Sequence, residues 1–148
     1  MKTLCLILIL CSICLLCAKA NASDWVQYRS SALGDKMFYD RDSKDFESDN
    51  IVRVWVKEIF SEEGKEVFIE ERMRTGLPTH DLDKLSYSLC QYKINCNTHE
   101  QDVLGCDRYT KDGNMIESYA IPKSLQHWQP TDLDSSMDLL RIAVCKQK

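Results

Sequence analysis

The sequence predicts an α+β domain, mainly antiparallel β-sheet, with a C-terminal helix packed on the sheet and tied to it by a disulfide. Three observations carry this. Residues 51–60 alternate Val52, Val54 and Val56 with Arg53, Trp55 and Lys57, the period of two expected of a strand with one buried face. Residues 85–96 and 102–109 are two long strand-like stretches about the polar turn Asn97-Thr98-His99. Strand patterns come first and the one helical pattern comes last, which indicates an antiparallel sheet with an appended helix and not alternating βαβ units.

The first residues are a leader. Lys2 precedes the apolar run 3–17, about the 7–15 residues of a signal-peptide core and shorter than the roughly 20 that span a membrane. Ala18-Lys19-Ala20 and Ala20-Asn21-Ala22 both fit a small-residue cleavage pattern, and cutting between Ala22 and Ser23 is expected. This makes 1–22 the signal peptide and 23–148 a single exported domain. A lipid anchor is disfavoured, because Leu10, Ile13 and Leu16 precede Cys11, Cys14 and Cys17, where lipoprotein processing requires a small residue.

In the rest of the chain, residues 24–29 read as a strand, 30–34 as a turn and 36–39 as a second strand, closed by polar residues 40–45. After the strand at 51–60, Ser61-Glu62-Glu63-Gly64 reads as a turn and Val67-Phe68-Ile69 as the start of a returning strand. Residues 72–83, with Gly76 and Pro78, lack periodicity and read as loop. Asp112-Gly113 turns the chain into a strand at 115–121. A loop follows over 122–130, carrying Trp128. Ser135 with Asp138 three residues on resembles a capping box, and Met137, Leu140 and Val144 share one face of the terminal helix.

Cleavage leaves 126 of 148 residues, enough for one core, and moves the net charge from −4 to −6, because Lys2 and Lys19 leave with the leader. The basic residues are scattered, so nucleic acid and anionic membranes are excluded as partners. Four cysteines remain, Cys90, Cys96, Cys106 and Cys145, an even number that reads as two disulfides in an exported chain. They form no C-x-x-C pair, which disfavours zinc. A hairpin centred on Thr98 puts Cys90 opposite Cys106 and leaves Cys96 for Cys145.

Trp25, Phe38-Tyr39-Asp40 and Val52-Arg53-Val54-Trp55-Val56-Lys57, followed by Leu85-Ser86-Tyr87-Ser88-Leu89, Asn95-Cys96, Arg108-Tyr109 to Asp112-Gly113, Trp128 before Pro130, and Val144-Cys145, resemble the bacterial surface-adhesin protein E-like family. The resemblance spans nearly all of 23–148. It implies antiparallel strands with a C-terminal helix on the sheet, and it supports the Cys96–Cys145 bridge. It also implies a non-enzymatic surface protein that binds host matrix or serum proteins such as vitronectin, laminin and plasminogen. The missing lipoprotein signal and the additional Cys90 and Cys106 depart from that pattern, and the matching positions look structural, so no binding residue is carried over.

No catalytic, cofactor-binding or metal-ligating set emerges. His80-Asp81 could serve acid–base chemistry in a cleft, His99 falls in the hairpin turn and His127 adjoins Trp128. Glu62-Glu63 and Glu70-Glu71 would face each other only across a hairpin, and no Gly-rich phosphate loop occurs. Trp55 between Arg53 and Lys57 is the candidate binding face, suited to an acidic protein segment. The leading reading is an exported protein, periplasmic or at the cell surface, that uses a sheet face or edge to hold another protein. Exposed edges would also allow a homodimer. The alternatives are an envelope-maintenance role, or a small secreted hydrolase or inhibitor. A hydrolase needs His80, Asp81 and a second carboxylate in one pocket, and an inhibitor needs a rigid loop at Gly76-Leu77-Pro78-Thr79.

Overall fold

A computed structural model describes residues 23–146. The leader expected over 1–22 lies outside the described residues. One eight-stranded sheet runs through them: β1 (Trp25–Ser30), β2 (Lys36–Asp40), β3 (Asp45–Ser48), β4 (Ile51–Ile59), β5 (Leu85–Asn95), β6 (Glu100–Thr110), β7 (Met115–Ala120) and β8 (Gln129–Pro130). The order across it is β1-β2-β4-β5-β6-β7, with β3 also on β4 and β8 also on β6, and every pairing is antiparallel. Two helices accompany it, α1 (Glu62–Arg74) and α2 (Ser136–Cys145).

The alternation in β4 builds the core. Val52, Val54 and Val56 are buried on one face, and Leu140 and Val144 of α2 pack there with Tyr39 and Ile94, the two helix residues fully buried. Burying a side chain of this size contributes about 1.5–3 kcal/mol. Met137, on the same stripe of α2, packs at the margin of this cluster. Ser135 Oγ accepts the Asp138 N–H at 3.1 Å, as the capping pattern predicts. The Asp138 carboxylate accepts from the Asp134 N–H (3.3 Å) and holds Arg141, so the box closes one residue further back than its usual form.

The segment after β4 overturns its sequence reading. Ser61-Glu62-Glu63-Gly64 is the start of α1 and not a turn, and Val67-Phe68-Ile69 lies in mid-helix and not in a strand. Ser61 Oγ caps the helix by accepting from the Gly64 N–H (2.9 Å). Glu62 and Glu63 lie in the first turn and Arg72 and Arg74 in the last, matching the helix dipole. Glu62 pairs with Lys65 and Glu71 with Arg74 one turn on. Three adjacent apolar residues cannot outweigh these terms, and Val67 stays 47% exposed. The antiparallel partner of β4 on this side is β5, reached through α1. The loop expected over 72–83 therefore begins only after Arg74. Residues 45–48, which begin at the end of the polar segment read over 40–45, and residues 129–130, read as loop, are short strands.

The β5–β6 hairpin carries both bridges. Asn95 pairs with Glu100 and Tyr92 with Val103, a register centred half a residue short of Thr98. Continued, it would set Cys90 opposite Gly105. Leu104 bulges out between Val103 and Gly105, the register shifts by one, and Cys90 meets Cys106. The Cys90–Cys106 disulfide has a Cα–Cα distance of 4.1 Å, and Cys96–Cys145 joins β5's end to α2 at 5.8 Å. Gly105 is required there, since a Cβ would stand 2.7 Å from the Tyr119 carbonyl oxygen on β7.

Candidate functional site

Both helices cover the same face of the sheet. α2 lies on Val52, Val54 and Val56, and Phe68 of α1 lies 4.9 Å from the Arg108 guanidinium, two residues along β6 from Cys106 and so on the same face. The period of two then puts Arg53, Trp55 and Lys57 on the opposite face, which is helix-free among the described residues. Trp55 sits just past the end of the β2–β4 pairing, and its backbone N–H donates instead to Ser43 Oγ at 3.0 Å. The gap beyond β2 opens a cleft of about 340 Å³, lined by Ser23, Trp25, Asp40, Trp55, Leu89 and Asp107.

The three candidate residues share this face but differ in what they offer. Arg53 is engaged by Glu47, whose carboxylate also takes Lys93 Nζ at 2.8 Å. The hydrogen bond from Lys93, and then that from Arg53, holds the Glu47 carboxyl below its usual range. Lys57 Nζ lies over the Tyr87 ring (4.7 Å) and near Trp25 (5.9 Å). Trp55 alone of the three lines the cleft. Trp128, read as part of a loop edge, lies over Lys93 (5.6 Å). All three tryptophans therefore stand on the face without helices. Trp25 and Asp40 were legible as family-like residues, but their convergence with Trp55 depends on the β1–β2–β4 register.

A second cleft, of about 250 Å³, lies on the helical face between α1 and α2 and includes Glu58, Phe68, Tyr92, Gln101, Arg108 and Met137 in its lining. Burial, with the Asp35 carboxylate adding to it and Arg108 opposing, pushes Glu58 up to about 7. Arg108 is buried, lies between Phe68 and Tyr119, and donates to Glu117 Oε1 at 2.6 Å, a carboxylate it shares with Arg72. None of these residues is a histidine or a nucleophile.

The residues weighed for catalysis are dispersed. His80 contacts Asp81 (2.8 Å), but its side chain is 91% exposed, and Asp81 is also held by Lys84. Glu62-Glu63 and Glu70-Glu71 lie along one helix and not across a hairpin. His99 is in the hairpin turn with φ of 57°, and His127 bonds Gln129 beside its own loop. The Gly76-Leu77-Pro78-Thr79 segment closes the C-terminus of α1: Gly76 adopts φ of +72°, and the Gly76 and Leu77 N–H groups donate to the Met73 and Arg72 carbonyls. Among the described residues no group of three or more metal-binding side chains converges, and no helix is long and apolar enough to cross a membrane.

Neither a protein-family model nor a curated protein sequence matches the chain. Among solved structures, the crystal structure of protein E from non-typeable Haemophilus influenzae is similar to it, at 11% identity and a TM-score of 0.47, over 82% of this chain and 74% of that one.

Proposed function

We propose that this chain is an exported, non-enzymatic binding protein of the surface-adhesin E-like type, which holds another protein on the helix-free face of its sheet. The observation that carries the reading is the placement of Trp25, Trp55 and Trp128 on that face, with Trp25 and Trp55 walling an open cleft. Tryptophan is the residue that most often anchors a protein interface, because it offers a large rigid apolar surface and one polar group for little conformational entropy. Strands stapled by Cys90–Cys106 and Cys96–Cys145 hold such anchors in fixed positions, and two disulfides suit an oxidising compartment, the periplasm or the cell surface. The resemblance to the surface-adhesin protein E-like family implies host matrix or serum proteins as the partner class.

The test is binding of the purified chain beginning at Ser23 to immobilised matrix and serum proteins. The expected result is saturable micromolar binding that Trp25→Leu with Trp55→Leu weakens at least tenfold while the far-ultraviolet circular dichroism stays unchanged. Binding that survives the double substitution rules out this face. No binding to any matrix or serum protein removes the adhesin reading and leaves the envelope role.

A further inference from the structure

We infer that the Trp25–Trp55 cleft selects a basic side chain, a lysine or arginine of the partner protein. The inference rests on the reading of the helix-free face as the binding surface and gives that surface its chemistry. The sequence, with Arg53 and Lys57 flanking Trp55, suggests an acidic ligand. The structure redistributes those charges. Arg53 is closed off by Glu47, which also pairs with Lys93. The charged side chains that line the cleft itself are two carboxylates, Asp40 and Asp107. Against them stand Lys57, outside the lining with its Nζ 4.7 Å from the Tyr87 ring and 5.9 Å from that of Trp25, and, in the chain beginning at Ser23, the α-ammonium of that lining residue. Within the lining, two carboxylates thus face one ammonium.

Asp40 is built to act on a ligand. It is only 8% exposed, and the N–H groups of Asp24 and Asp42 both donate to its Oδ1, each at 3.1 Å. The carboxylate is thereby fixed in orientation through Oδ1. Asp107 on the far wall accepts from Ser118 Oγ at 2.5 Å. Trp25, Trp55 and Leu89 supply the apolar part of the lining. Aromatic faces attract a cation through their quadrupole, and the attraction grows as water is excluded. Aromatic walls with a preoriented carboxylate match an aliphatic stem ending in an ammonium or guanidinium, and they repel a carboxylate. At about 340 Å³ the cleft stands at the lower end of the roughly 300–1,000 Å³ of small-ligand sites, which suits one inserted side chain better than a larger molecule.

The experiment is a titration of the ¹⁵N-labelled chain beginning at Ser23 with end-blocked Gly-Lys-Gly, Gly-Arg-Gly, Gly-Glu-Gly and Gly-Leu-Gly peptides, following the three indole N–H signals. The expected result is saturable movement of the Trp25 and Trp55 signals with the lysine or arginine peptide, and no movement of Trp128. Asp40→Asn weakens that binding at least tenfold, and so does Trp55→Leu, with the remaining spectrum unchanged. If the glutamate or leucine peptide moves the same signals equally, the charge selection is overturned while the face remains a binding surface. Silence toward all four peptides overturns the inference, and the proposed function is then decided by the matrix-protein assay alone. If acetylating the Ser23 amino group moves the two indole signals and no peptide does, the chain's own terminus fills the cleft, which also overturns it.

Discussion

Replacing Cys96 and Cys145 together by alanine is expected to destabilise the chain by about 4 kcal/mol. The bridge spans 49 positions of sequence, and closing a loop of that size removes about 14 cal/mol/K from the unfolded ensemble by the chain-entropy relation. The Cys90–Cys106 bridge spans only 16 positions, for which the same relation yields about 3 kcal/mol. The long bridge also tethers α2, whose Leu140 and Val144 cover Val52, Val54 and Ile94, so its loss releases the lid of the core. Against a net stability of roughly 5–15 kcal/mol for a domain, such a loss removes between a quarter and most of the total. Guanidinium chloride unfolding, followed by tryptophan fluorescence, measures it. With a slope of about 4 kcal/mol/M the midpoint falls by about 1 M. A loss under about 1 kcal/mol would refute the claim that this bridge constrains the unfolded chain.

Glu58 should make stability pH-dependent, because burial raises its pKa from 4.5 to about 7. A folded acid with a raised pKa stabilises while protonated. Its contribution is complete below about pH 4.5 and is lost as pH rises through about 7, some 3 kcal/mol in all. Glu58→Gln should flatten urea-unfolding stability over that window and be the more stable form at pH 8, and an unchanged slope would count against the burial. Gly64→Ala, which in an open helix would gain up to about 1 kcal/mol, should instead cost about 1–3 kcal/mol, because its Cβ would meet Asp35 Oδ1 at 1.9 Å. Thermal unfolding should show the cost shrinking in an Asp35→Ala background, and equal costs in both backgrounds would rule out that contact. The exported form is expected to begin at Ser23. Intact-mass measurement checks this, and a mass that retains residues 1–22 would contradict it.

The strands with a one-sided pattern were legible in the sequence. Val52, Val54 and Val56 could face only one core, and Ser135, Leu140 and Val144 could form only an amphipathic capped helix, because period and capping chemistry are local properties. α1 was missed because its signal lies in charge and not in apolar periodicity: Ser61 followed by glutamates, with arginines a few turns later, was readable, but Val67-Phe68-Ile69 masked it. The disulfide pairing was reached by a symmetric hairpin, whereas the actual register is offset and only the Leu104 bulge brings Cys90 to Cys106. β8 pairs with β6 at Glu100 and Gln101 and β7 from Gly105 onward, so the bulge falls between the two partners of that edge, a placement no local pattern records. The same holds for the site. That Trp55 stands on an exposed strand face follows from alternation alone. That its neighbours are Trp25, Asp40 and Asp107, while Arg53 is withdrawn by Glu47, follows from cross-strand registers that bring together residues up to 82 positions apart, and only the folded sheet decides those.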